Sequence, residues 1–262
     1  MVVTANNHAF DMGDSGRERT LQQLDLRGIY HSGTYASPYM QQNTPIVEIN
    51  GISVAILSYA QFVNTGTEIY KNSGQLYKMN LLDLQQIQQD IAAARERHAE
   101  FILLYVHWGS ENTNTPNSYQ LETAQQLANL GADAIIGSHA HAIQPAEYLT
   151  AADGRKVFCI YSMGNLISSM PRDINQDALL LNLHLVRTKG KVCLEQVSYM
   201  CVTGGIWENR QFATLPSRLT LQSGHQTSRM QASIQRTNAI LASVITEETC
   251  FSYADYGDLY EE

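Results

Sequence analysis

The chain has 262 residues, of which 44% are hydrophobic and 16% charged, with a formal net charge of −8. That length suits one large domain, or a domain with a small appendage, and is enough to bury most of the surface an unfolded chain exposes. An acidic balance without a Lys/Arg-rich run argues against nucleic acid as a partner, because neutralising phosphates takes clustered cations. No apolar run approaches the roughly 18 residues of a membrane span.

Met1–His8 lacks the basic region and apolar core of a secretory signal peptide and reads as the middle of a domain. Asp14–Leu26 carries Leu21, Leu24 and Leu26 among polar residues and meets Gly28, a helix with a glycine stop, and Ile29–His31 follows as a short strand. Ile46–Ile49, Asn50–Gly51 and Ile52–Leu57 read as a β-hairpin, since Asn-Gly between β-branched runs supplies the positive φ angles of a tight turn. Leu81, Leu84, Ile87 and Ile91 share one face of a helix over Leu81–His98, and Phe101–His107 is a continuous apolar strand. Tyr119–Leu130, stopped by Gly131, repeats the pattern with the strand Ala134–Gly137. Two helix-then-strand units imply parallel strands with helices on their face.

After Gly154 come strands without helices, Lys156–Ser162, Ala178–Arg187 and Val192–Val202, and then one closing helix over Ser228–Thr246 and an acidic, mobile tail from Asp255 to Glu262. The fold class expected is α/β, two packed mixed β-sheets flanked by helices, with a main domain over 1–205 and a C-terminal extension over 206–262. The four cysteines, Cys159, Cys193, Cys201 and Cys250, show no CxxC spacing and read as buried small residues in strands rather than a zinc site or redox pair. Charge is low against the usual ~25%. Polarity comes instead from amides, 21 Gln among them.

Polar residues gather at four strand ends: Asn6-Asn7-His8, His107-Trp108-Gly109, Gly137-Ser138-His139-Ala140-His141 and Ser162-Met163-Gly164-Asn165. Ligands of such sheets bind beyond the carboxyl ends of the strands. In an extended backbone His139 and His141 point to the same side, a metal-ligand geometry to which His107 and Asn7 would add a nitrogen and an amide oxygen. A single His at a strand end is more often a satisfied polar residue than a ligand; it is the company of the other motifs that singles these out. His98, His184 and His225 lack that company and read as structural or solvated, and His31 follows its own short strand. Trp108 either walls the site or packs between the sheets.

These motifs, together with Ala9-Phe10-Asp11-Met12-Gly13, Gly28–Gly33, Asn50–Gly51, Ser110-Glu111 and Gly131–Pro145, resemble in their order the successive motifs of the CapA-type poly-γ-glutamate capsule biosynthesis proteins. That family is grouped with the calcineurin-like metallophosphoesterases. The likeness covers roughly residues 2 to 170.

The resemblance implies a metallophosphoesterase-like α/β/β/α sandwich and a site for one or two divalent ions, Mn, Fe or Zn. It implies Asn7, His107 and His139 as ligands of one metal and His141 as a ligand of the other. His8 becomes the acid that protonates the leaving group or stabilises the attacked one, with Asp11 holding it cationic, since a nearby carboxylate raises an imidazole pKa. Two metals about 3.5 to 4 Å apart would generate a hydroxide at neutral pH without a protein nucleophile. Glu111 is expected to contact substrate or to be a solvated charge, and Asn165 to donate to a substrate oxygen or to cap the next turn.

The family's domain opens with a strand ending in Gly-Asp, upstream of Asn-Asn-His, whereas this sequence starts five residues before Asn6. The chain is therefore expected to be a truncated form, or else a degenerate member, with the second metal site in doubt and with an open or partner-covered strand edge near Val2–Ala5. The function expected is metal-dependent hydrolysis of an amide or ester in an anionic cell-envelope polymer, which would place the protein outside the cytoplasm. The alternative is a non-catalytic envelope protein that binds or tethers such a polymer. A nucleotide phosphohydrolase is disfavoured by the lack of a Gly-rich phosphate loop.

Overall fold

A computed structural model describes residues 1–206, 212–218 and 227–248. In chain order the elements are β1 (Val2–Val3), α1 (Gly13–Asp25), β2 (His31–Ser32), α2 (Pro38–Gln42), β3 (Ile46–Ile49), β4 (Ile52–Ala60), α3 (Thr67–Lys71), α4 (Leu84–Glu96) and β5 (Phe101–His107). There follow α5 (Ser118–Asn129), β6 (Ala134–Ser138), β7 (Ala146–Thr150), β8 (Lys156–Ile160), β9 (Asp177–Thr188), β10 (Lys191–Ile206), β11 (Phe212–Pro216), α6 (Ser228–Leu241) and β12 (Thr246–Glu247).

The main sheet has six strands in the order β3-β4-β5-β6-β8-β7. Its four central strands run parallel, and β3 and β7 close the edges antiparallel. The β3–β4 hairpin turns on Asn50 and Gly51, at φ 50° and 78°, the left-handed pair that a two-residue turn matched to strand twist requires. Helix α4 starts where the Asp83 carboxylate accepts from the Gln86 N–H at 2.9 Å and buries Ile87, Ile91 and Ala94. Helix α5 starts with a reciprocal capping box between Asn117 and Gln120.

The strands sort their side chains by alternation. Ile135, Val157 and Cys159 face α4 and α5, whereas Ile136, Phe158 and Ile160 face a second sheet through Leu179, Val197, Tyr199 and Cys201. In that sheet β10 is central, paired antiparallel to β9 and β11 and parallel to β12. Helix α6 brings Leu241 into the same apolar cluster, so it packs on β10 although it lies beyond residue 205. This is the mixed α/β arrangement of two packed sheets with helices that the sequence predicts.

Several details differ. The closing helix stops at Leu241 rather than Thr246, because Thr246–Glu247 pairs with Ser198–Tyr199 as β12. Strand β7 was not expected; its Ala146-Glu147-Tyr148-Leu149-Thr150 is an exposed edge with only two buried residues, too weak an alternation to read. Cys159 and Cys201 are buried, but Cys193 is exposed on the solvent face of β10. Trp108 is fully buried on the helical side of the main sheet, beside Tyr161, rather than between the sheets. His225, Cys250 and the acidic tail lie outside the described residues. Strand β1 pairs only with β2, and its other edge has no partner strand among the described residues.

Candidate metal centre

The register of the parallel strands decides what meets at their carboxyl ends. Ala60 of β4 lies beside His107 of β5, and His107 lies beside Ser138 of β6, so the segments that follow all emerge at one rim. Asn7 reaches the same rim from the loop after β1.

Asn7 is buried, and its Oδ1 lies 2.8 Å from His107 Nε2. His139 Nδ1 is 3.1 Å from that same nitrogen, and the His107 and His139 ring centroids are 4.7 Å apart. His139 and His141 have centroids 6.0 Å apart, and His141 Nε2 is 4.0 Å from Glu111 Oε1. One ligand atom from each of Glu111, His139 and His141 falls within 4.8 Å of the others, a group able to hold a metal ion. The sequence-predicted residues Asn7, His107, His139, His141 and Glu111 thus form one cluster, with Glu111 beside the histidines. The two histidines do not meet as neighbours on an extended strand: β6 ends at Ser138, and His139 and His141 take φ 91° and 55°. Non-glycine residues in that region are uncommon and concentrate at functional loops.

The hydrogen bonds around the cluster fix which atoms face inward. Asn7 Nδ2 donates to Asn64 Oδ1 at 3.1 Å, which turns the Asn7 oxygen toward His107. Ser138 Oγ lies 3.0 Å from His107 Nδ1 and 3.3 Å from the Val106 carbonyl, so it can donate to the carbonyl while accepting from Nδ1, the tautomer that leaves Nε2 its lone pair for a metal. A proton on His139 Nδ1 settles one contact to that lone pair. In that tautomer the Asn7–His107 contact joins two acceptors, which a cation would bridge. Burial, helped by the charges of His139, His141 and His8, pushes the His107 pKa down to about 3. Burial lowers His139 as well, against the opposing pull of the Glu111 carboxylate. Neutral imidazoles are the form that binds metal.

Further residues hold the rim together. Asn165 Oδ1 is 2.8 Å from His141 Nδ1, and its Nδ2 donates to the Asn175 carbonyl, while Asn175 Nδ2 donates to the His141 carbonyl. Asn165 thus faces a histidine rather than an open surface. The loop bearing Glu111 is tied down by Asn112 N–H to the Ala140 carbonyl at 2.7 Å and by Gln144, which donates to the carbonyls of Thr113 and Thr115. His8 is exposed beside the cluster, its Nδ1 2.6 Å from Asp11 Oδ2. Phe62 meets the His139 ring edge-on at 5.0 Å.

Asn64, Asn175 and Phe62 escaped the sequence reading. Asn64 and Phe62 had a signal, since Gln61-Phe62-Val63-Asn64 follows the carboxyl end of β4 as the other motifs follow theirs. Asn175 had none. His31 is buried with Nε2 3.3 Å from Asp25 and takes no part in the cluster; His98 ends the turn after α4, and His184 is exposed on β9.

Comparison with known proteins gives this rim a context. Residues 1–170 match the family model of the bacterial capsule synthesis protein PGA_cap. The PGA biosynthesis protein CapA of Bacillus subtilis (strain 168) is 29% identical over 190 residues, covering 71% of this chain and 47% of that protein. The capsule biosynthesis protein CapA of Bacillus anthracis is 25% identical over 218 residues, covering 80% of this chain and 52% of that protein. The chain thus spans about half the length of the curated relatives it matches. The crystal structure of the calcineurin-like phosphoesterase YfkN from Bacillus subtilis aligns with a TM-score of 0.46 at 18% identity, covering 91% of this chain and 69% of that one. Among the described residues no helix is long and apolar enough to cross a membrane. With the family model matching well over half its length, the chain belongs to the bacterial capsule synthesis protein family.

Proposed function

We propose that this chain is a metal-dependent hydrolase that cleaves an amide or ester bond in an anionic capsule polymer. The observation that carries the reading is the convergence of potential ligand atoms on His107 Nε2, from which Asn7 Oδ1 and His139 Nδ1 stand 2.8 and 3.1 Å away. Asn7, His107 and His139 would hold one divalent ion. Glu111 and His141, whose ligand atoms gather beside His139, would contribute a carboxylate and an imidazole to a second. Such ions, Mn, Fe or Zn, supply a water of lowered pKa and positive charge against the developing oxyanion.

The remaining work falls to the chain's own groups. Asn64 fixes the Asn7 amide, and Ser138 fixes the His107 tautomer. Asp11, 2.6 Å from His8 Nδ1, orients the ring, and His8 Nε2 is the atom that would give a proton to the departing amine or alcohol. Asn165 orients His141 instead of touching substrate.

Metal analysis of the purified protein tests the proposal, together with hydrolysis of p-nitrophenyl phosphate and a γ-glutamyl p-nitroanilide. The expected result is at least one equivalent of metal, lost in His107→Ala/His139→Ala, with turnover that follows the metal. Less than about half an equivalent in a folded wild-type protein inactive on both substrates would leave the polymer-binding alternative in its place.

A further inference from the structure

Beyond the histidine cluster, a separate cavity of about 710 Å³ opens at the same rim, above the end of β4. Its volume lies in the ~300–1,000 Å³ range of pockets that take small ligands. It adjoins the metal centre through Gln61, whose Oε1 accepts from the Gly109 N–H at 2.9 Å and whose own N–H donates to the His107 carbonyl.

Its wall combines the apolar side chains of Leu76, Met79, Leu81 and Leu82 with two charged groups that both have partners. Lys71 is already paired with Glu68 at 3.0 Å, and the Asp83 carboxylate is engaged as the cap of α4. The uncharged polar groups are carboxamides and the Tyr119 hydroxyl. Gln85 and Gln89 stand one turn apart on α4 and make no side-chain hydrogen bond among the described residues; Gln86 keeps its oxygen and Gln61 its amide nitrogen unused. Each carboxamide offers a donor and an acceptor side by side. Tyr119, 37% exposed on the first turn of α5, adds a flat apolar ring at the edge.

We infer that this cavity binds a neutral oligosaccharide segment. Vicinal hydroxyls each need a donor and an acceptor, which paired carboxamides supply, and the C–H face of a sugar ring needs an apolar plane, which Tyr119 supplies. An anionic chain would need a surplus of cations, and the wall's one cation, Lys71, is paired with Glu68 and opposed by the Asp83 carboxylate. The site is independent of hydrolysis, so binding is read on chelator-treated protein, where its failure is distinct from a failure of the metal reading.

The experiment is calorimetric and saturation-transfer titration with cellotetraose, maltotetraose, chitotetraose and, as the anionic comparison, penta-γ-glutamate. Saturable binding of at least one neutral tetrasaccharide is expected, weakened about tenfold or more by Gln85→Ala/Gln89→Ala and by Tyr119→Ala and unchanged by His139→Ala. Both variants alter exposed side chains, and a thermal melt confirms that they stay folded. Absence of saturable binding up to about 10 mM for all three sugars, binding indifferent to the cavity variants, or tighter binding of penta-γ-glutamate through the same residues would each overturn the assignment.

Discussion

The Oδ1 of Asn165 lies 2.8 Å from Nδ1 of His141, and the two residues are joined a second time through Asn175, which donates to the His141 carbonyl. An amide oxygen only accepts, so His141 Nδ1 carries the proton and Nε2 presents its lone pair on the Glu111 side. The ring is held in one tautomer before any ion arrives, and the φ of 55° at His141 is held with it.

Replacing Asn165 with Ala is expected to weaken divalent-metal affinity by about 10- to 100-fold, the usual effect of removing a partner behind a ligating histidine. Asn165→Asp keeps the acceptor and should recover most of the loss. Calorimetric titration with Zn2+ or Mn2+ reads both; equal loss in both variants would mean that the loop, and not the tautomer, was disturbed.

Much of this centre was visible as motifs at strand ends, because a parallel sheet delivers such ends to one rim. Asn7, His107, His139 and His141 needed only the apolar strands before them and the parallel order that two helix-then-strand units dictate. What escaped was whatever depends on contacts distant in sequence. Asn64 bonds Asn7 across 57 positions, and Asn175 reaches His141 across 34. The His-x-His spacing suggested an extended backbone after the strand, yet beyond Ser138 both His139 and His141 take positive φ, 91° and 55°. The Asn50–Gly51 hairpin was fully legible, since its turn is decided by the two residues themselves.

The buried imidazole of His107 predicts an acid limb in stability. Its pKa in the fold is about 3, below the 6.5 of a free imidazole, so between those values the unfolded chain binds a proton that the native chain does not. Its contribution is therefore fully present above about pH 6.5 and lost as the pH falls toward 3. Urea unfolding of the chelated protein at pH 7, 5.5 and 4.5 should show a decline that is shallower in His107→Gln, by on the order of a few kcal/mol at the lowest pH. Parallel curves for the two proteins would contradict the burial argument.

Gly137 is fixed by sterics rather than by backbone angle. A Cβ there would stand 1.9 Å from the Tyr161 carbonyl oxygen and 2.7 Å from Trp108 Nε1. Since Tyr161 also accepts from that indole at 3.0 Å, neither group can withdraw without breaking a buried hydrogen bond. Gly137→Ala is expected to cost about 3 kcal/mol or more and to displace His139 two residues on. Gly204→Ala, whose new atom meets nothing closer than 3.7 Å, is the control and should change stability by less than about 1 kcal/mol.

Helix α6, outside the matched region, is expected to support the rim. Arg236 on α6 grips Asp177 at the start of β9 with two bonds, Nε to Oδ2 at 2.6 Å and NH2 to Oδ1 at 2.8 Å. Asp177 is buried, and its backbone oxygen would stand 2.3 Å from a Cβ on Gly164, so the first residue of β9 is packed against the segment that carries Asn165. Removing the guanidinium leaves a buried carboxylate without its partner, which costs about 3–5 kcal/mol, whereas removing both charges costs much less. Arg236→Met should therefore lower stability strongly, Asp177→Asn/Arg236→Met should regain most of it, and metal affinity should fall in the first variant and recover in the second, because the link to His141 runs through Gly164 and Asn165. A double-mutant cycle followed by denaturant unfolding and metal titration measures both quantities. Additive stability losses, or a metal affinity that ignores Arg236, would show that α6 only covers the second sheet and lends the histidine rim no support.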